Sequence, residues 1–72
     1  MASEHDHLVQ ATRHIARAED MVLEQRLLIA RMAEHGHDTK LAEAVLQTMQ
    51  TTLDRMHEHL VLIEKAIAAE GQ

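Results

Sequence analysis

The chain has 72 residues, 46% of them hydrophobic, but it contains no Cys, Pro, Phe, Tyr or Trp. The lack of Cys excludes disulfides and thiolate metal sites, and the lack of aromatic side chains excludes stacking platforms for single-stranded nucleic acid. Its 12 Asp and Glu outnumber 7 Lys and Arg and give a net charge of −5 with His neutral, which disfavours binding to nucleic-acid phosphates.

The short length and the polar amino terminus limit the class of protein further. A chain of this size forms one domain and buries only about 60% of its unfolded surface, so it commonly needs a partner. No apolar run is longer than four residues, too short for a membrane span, and the first six residues are acidic and polar, unlike a secretory signal. We therefore expect a cytoplasmic protein that does not bind membranes.

The first element is a predicted helix over about residues 4–35. Ser3 followed by Asp6 is typical of a capping box, with an acid at the positive end of the helix dipole. Apolar residues then recur at two alternating positions of a seven-residue repeat, which indicates a helix packed along a seam. The residues at these positions are Leu8, Ala11, Ile15, Ala18, Val22, Gln25, Ile29 and Met32.

A turn is predicted at residues 35–38. Gly36 can adopt the left-handed conformation that ends a helix without a steric penalty, and Asp38 is a suitable N-cap for the next helix. Such a short connection requires the two helices to pack as antiparallel neighbours.

The second predicted helix covers about residues 39–70 and carries the same repeat. Its seam residues are Ala42, Leu46, Met49, Leu53, Met56, Leu60, Ile63 and Ile67. Residues 1–72 therefore form a single all-α domain, an antiparallel helical hairpin. Folding about Gly36 places Val22 near Leu53 and Ile29 near Leu46, although a register one level away fits the pattern equally well.

More apolar surface is present than one interhelical seam can cover, and this predicts self-association. Wide apolar stripes are typical of multi-helix packing, so we expect a homodimer that forms a four-helix bundle. Another helical protein could take the place of the second copy. The candidate interface residues are Leu23, Leu27, Leu28, Val61 and Leu62.

Gln25 is the polar member of an otherwise apolar row. It is either a partly exposed amide whose head reaches water, or a buried polar residue that fixes the register at some cost in stability. In both cases we expect a Gln25→Leu variant to be thermally more stable.

Seven His residues are the one feature that invites chemistry. A helical metal site needs ligands three or four residues apart, whereas His5/His7 and His57/His59 are two apart. Only His14 and His59 could approach each other across the hairpin, and two ligands are fewer than a zinc site requires. We therefore predict no metal and no cofactor, with His14 and His59 as the weak candidates.

A second class of function remains open. Dimeric helical hairpins also occur as histidine-phosphotransfer modules, and His57-Glu58 resembles the His-acid dipeptide of that class, without its flanking signature. No nucleophile with a companion base is present, so we predict no catalytic residues and no enzymatic activity.

The run from Gln25 to Ala30, the turn Gly36-His37-Asp38-Thr39 and the segment from Leu53 to His59 resemble a group of short uncharacterised bacterial two-helix proteins. The resemblance covers roughly residues 8–64, and the Gly-His-Asp-Thr turn is its most specific part. It implies a bacterial origin and a hairpin architecture, and it transfers no site. The sequence thus favours a small self-associating protein–protein interaction module with a regulatory role as one option, and a His-based metal-binding or phosphotransfer module is the alternative.

Overall fold

The protein folds as two helices that pack against each other, as predicted. The structure is a computed structural model, and it describes residues 3–71. Helix α1 spans Glu4–Glu34 and helix α2 spans Lys40–Glu70, with 31 residues in each. Each helix is therefore about 47 Å long. Neither helix of residues 3–71 combines the length and the apolar character that crossing a bilayer demands.

The hairpin is a rod. Its extents are 57 × 17 × 15 Å, and its radius of gyration is 16.6 Å. A compact domain of the same length has a radius of gyration of about 11 Å. The two helices therefore lie side by side over their length, with no third element above or below them in the described chain.

Helix α1 begins with a reciprocal pair of hydrogen bonds. The Asp6 N–H donates to the Ser3 hydroxyl oxygen, and the Ser3 N–H donates to the Asp6 carboxylate, both at 3.2 Å. The two bonds satisfy amides that have no partner within the helix, which is why the helix starts here.

Helix α1 ends in a Schellman motif centred on Gly36. The Gly36 N–H donates to the Ala33 carbonyl at 3.1 Å and the His37 N–H donates to the Met32 carbonyl at 2.9 Å. Gly36 has a φ of 73°, which a residue with a Cβ adopts only with strain. The chain can therefore reverse within five residues.

Gly36→Ala is expected to destabilise the fold by about 1 kcal/mol or more, because the added Cβ penalises the left-handed backbone. A Cβ built at Gly36 meets nothing within 4 Å, so the loss would come from the backbone alone. Gly71 is the control: it has a φ of −72°, and a Cβ there makes ordinary contacts at 3.6 Å and beyond. Chemical denaturation of both variants measures the difference, and equal effects would contradict the assignment.

The start of α2 corrects one prediction. The N-cap is Thr39, not Asp38, and the helix begins at Lys40. The Thr39 side chain does not bond to a backbone N–H of the first turn; its hydroxyl instead donates to the Glu43 carboxylate at 3.1 Å. Asp38 still accepts a hydrogen bond from the Lys40 N–H at 2.9 Å. An Asp carboxylate readily reaches the amide two residues ahead, so Asp38 caps the helix from one position farther back than predicted.

The seam between the helices follows the seven-residue repeat. Of the sixteen seam positions predicted from the sequence, every one is buried or half-buried. The most buried are Ile15, Val22, Ala42 and Ile63, which are 5–9% exposed. Outside the seam, the described residues that are half-buried are Glu4, Thr39 and Gln50. The hydrophobic core is therefore a single strip between two helices.

Candidate interaction face

Large hydrophobic side chains remain exposed on both helices of the hairpin. They are between 40% and 80% exposed, and they are Val9, Met21, Leu23, Leu27, Leu28, Leu41, Val45, Val61 and Leu62. Isolated exposed Leu and Val residues are normal on any protein, but here they outnumber the buried ones. The hairpin thus leaves more large hydrophobic side chains on its surface than it buries in its core.

Two rows of exposed residues run along one side of the hairpin, one on each helix, and none carries a charge when His is neutral. We call this side the uncharged face and define it by His7, His14, Met21 and Leu28 on α1, and Val45, Thr52 and His59 on α2. The spacing of seven residues within each row keeps its members in line along the helix.

Four surface grooves follow this face from the turn to the free ends of the helices. Nearest the turn, Met21 and Leu28 line a groove with Val45, and the next groove is bounded by Met21 and Thr52. Towards the free ends, His14 and His59 line two further grooves. The shared grooves establish that the rows of α1 and α2 lie on the same side of the molecule.

Four charged residues also line these grooves. They are Glu4 and Arg55 towards the free ends, and Glu24 and Arg31 towards the turn. The two rows that define the uncharged face consist themselves of apolar and neutral side chains.

The opposite side of the hairpin differs in chemistry. The equivalent rows there carry Glu19 and Arg26 on α1 and Glu43 and Glu64 on α2. Arg26 and Glu43 line the groove between the helices on this side, which we call the charged face. Full charges beside the seam are expensive to desolvate, so this side is suited to water.

The five predicted interface residues are all exposed, but they do not form one patch. Leu28 and Leu62 line grooves of the uncharged face. Leu23 lies seven residues before Ala30, which lines the groove of the charged face, and Val61 and Leu27 point away from the uncharged face as well. Met21, Val45 and Thr52 also line grooves of the uncharged face, and their seven-residue spacing from the histidines is visible in the sequence.

The structure groups His14 and His59 on the uncharged face, apart from the histidines at the turn and on the charged face. These two line the same grooves, and His7 joins them in one of the two. Within residues 3–71, no group of three or more His, Asp or Glu side chains is arranged to hold a metal ion. His35 bonds to the Arg31 carbonyl at 2.8 Å and stacks on His37 at the turn, and His57 lies on the side of the charged face.

Gln25 bridges the two helices. Its Nε2 donates to the Ala42 carbonyl at 2.9 Å in a half-buried environment. Ile29 is the predicted neighbour of Leu46. Gln25 lies farther from the turn than Ile29, whereas Ala42 lies closer to the turn than Leu46. The long Gln25 side chain therefore reaches along the seam as well as across it, and it has a specific partner on α2. Ile29 and Leu46, the predicted neighbours, line one groove between the helices.

We expect Gln25→Leu to raise the melting temperature by a few degrees, because Leu adds apolar contact and the Ala42 carbonyl keeps its bond within α2. We also expect the register to become less uniform. Spin labels on the exposed outer surface of each helix would then report a second interhelical distance, displaced along the axis by roughly 10 Å, one heptad. A single unchanged distance would show that Gln25 does not fix the register.

Comparison of the chain with protein-family models, with curated proteins and with solved structures gives no match. The resemblance to short bacterial two-helix proteins therefore stays a prediction.

Proposed function

We propose that the chain is a self-associating helical interaction module that acts as a homodimer in the bacterial cytoplasm and has no catalytic role. Two hairpins would pack into a four-helix bundle, and the bundle would regulate or recruit other proteins through its contacts. The proposal is supported by the amount of surface that the hairpin leaves in water.

The exposed area carries this proposal. The hairpin exposes 5759 Å². A compact monomer of 8.2 kDa exposes about 4500 Å², so the excess is roughly 1200 Å². Each partner in a stable protein–protein interface of standard size buries about 800 Å². The excess is therefore of the size that one partner would cover.

The core supports the same proposal. Among residues 3–71 only four side chains count as buried, and none of the large ones is completely buried. Full burial of a Leu, Val or Met side chain contributes about 1.5–3 kcal/mol to stability. The nine large hydrophobic side chains that remain exposed thus represent more potential stabilisation than the existing core, and a second copy would realise part of it.

Sedimentation equilibrium on the purified chain tests the proposal, because a dimer has twice the 8.2 kDa mass of the monomer. We expect a dimer at micromolar concentration. A folded monomer with a cooperative unfolding transition at that concentration would overturn the proposal. Native mass spectrometry of the same sample separates it from the alternative, since bound metal or phosphohistidine would favour a His-based module.

A further inference from the structure

We infer that the second copy docks on the uncharged face, so that His7, His14 and His59 become interface residues. This inference rests on the proposed self-association and adds the surface through which it occurs. The occupant is a second copy of this chain, because the same face offers both the apolar rows and the grooves that receive them.

The first argument is the contrast between the two sides of the seam. A four-helix bundle buries one further row on each helix beside the interhelical seam. On the uncharged face these rows carry Met21, Leu28 and Val45 with neutral His and Thr. On the charged face the equivalent rows would bury Glu19, Arg26 and Glu43, which costs more than the apolar contacts return unless every charge finds a partner.

The second argument is area. The rod measures 57 × 17 × 15 Å, so one of its long sides has a projected area of at most roughly 970 Å². That area exceeds the ~800 Å² that each partner contributes to a standard interface. One long side of the hairpin is therefore large enough for an interface of standard size.

The third argument is shape. The groove at the centre of the face is lined by three small side chains, Ala18, Thr48 and Thr52, together with Met21 and Met49. A long flexible side chain such as Met fills a depression lined by small residues. Residues of the second copy can thus interlock with this face rather than rest on it.

Docking of the second copy on the uncharged face would also set the environment of the imidazoles of His7, His14 and His59. His14 and His59 lie beside Glu4, Arg55 and His7 in their own hairpin, and the second copy would bring the same groups. Imidazole can both donate and accept hydrogen bonds, so these residues can satisfy one another across the interface.

A matched pair of charge insertions tests the inference. Met21 and Leu23 are 49% and 56% exposed and lie on different sides of α1. We expect Met21→Glu to weaken dimerisation at least about 100-fold, because each copy would bury an unpaired carboxylate. We expect Leu23→Glu, which adds the same charge to a wet surface, to change the dissociation constant by no more than about 3-fold. Equal effects, or a larger effect of Leu23→Glu, would overturn the assignment.

A second test uses single Thr→Cys substitutions, which change the hydrophobicity of the protein surface much less than a charge insertion does. The chain has no Cys, so a single introduced Cys is the only thiol. Thr51 and Thr52 are matched, since each hydroxyl donates to the carbonyl four residues earlier, at 3.1 and 3.0 Å. With a bifunctional thiol reagent we expect Thr52→Cys to form covalent dimers and Thr51→Cys to remain monomeric on denaturing gels.

The outcomes separate this inference from the proposed function. Sedimentation could show a dimer while Thr51→Cys cross-links and Thr52→Cys does not, or while neither variant cross-links. Either result would overturn the assignment of the uncharged face as the interface and would leave the proposed dimer standing. A monomer in sedimentation, together with no cross-linking of either variant, would overturn the self-association itself.

Discussion

Ile63→Ala is expected to remove roughly half of the stability of the fold. Ile63 is 6% exposed and is one of only four buried residues in the described range 3–71. Truncating a buried Ile to Ala costs about 2–5 kcal/mol, whereas a chain of 72 residues has a total stability of about 4–11 kcal/mol. The thermal unfolding curve of the variant, measured by circular dichroism at 222 nm, should therefore show no cooperative transition or a transition with a much lower melting temperature.

Val61→Ala is the matched control for this truncation. Val61 lies two residues earlier on the same helix, is 45% exposed and points away from the uncharged face. Ala has the higher helix propensity, so the unfolding free energy should change by no more than about 0.5 kcal/mol. If the two variants unfolded alike, the strip between the helices would not be the hydrophobic core.

Dilution is expected to destabilise the wild-type chain. If folding is coupled to dimerisation, a tenfold dilution lowers the stability of the dimer by about 1.4 kcal/mol. For two chains of this length the corresponding fall in melting temperature is about 4 °C, so a thousandfold dilution should lower it by about 12 °C. Scans from micromolar to millimolar concentration cover this range.

The variant Met21→Glu provides the reference for the dilution series. Below the concentration at which this variant dimerises, its melting temperature should be low and should no longer depend on concentration. A wild-type melting temperature that stays constant over the whole series would contradict coupled folding, because only a unimolecular transition is independent of concentration.

The fold was largely predictable because its determinants are local and periodic. The repeat from Leu8 to Met32, the Ser3–Asp6 pair and Gly36 are each short-range signals, and the structure gives a helix, its start and its turn at these places. A seven-residue apolar repeat also defines one side of a helix unambiguously, so exposure along the seam follows from sequence alone.

Details that depend on a side-chain conformation were not predictable. The reach of Gln25 to the Ala42 carbonyl depends on its rotamer and on the register, which no local pattern specifies. Asp38 was predicted as the N-cap of α2, but it lies one residue before the N-cap, Thr39. Its carboxylate accepts a hydrogen bond from the Lys40 N–H from this position too, so the residue type alone does not fix where the helix begins.

The interaction face was only partly predictable for a related reason. Hydrophobicity alone selects Leu23 and Leu27 as readily as Leu28, since all three are exposed to a similar degree. Only the position of the charged rows relative to the seam separates the two sides, and that comparison needs both helices in place.

The short reversal at Gly36 has a consequence for the order in which the hairpin forms. Residues paired near the turn are separated by few positions, whereas pairs near Ser3 and Gly71 are separated by nearly the whole chain. Closing a longer loop costs more entropy, so nucleation is favoured beside the turn and zippering proceeds outwards. The end that bears His7 and His59 should therefore close last and open first, and its amides should exchange with solvent fastest.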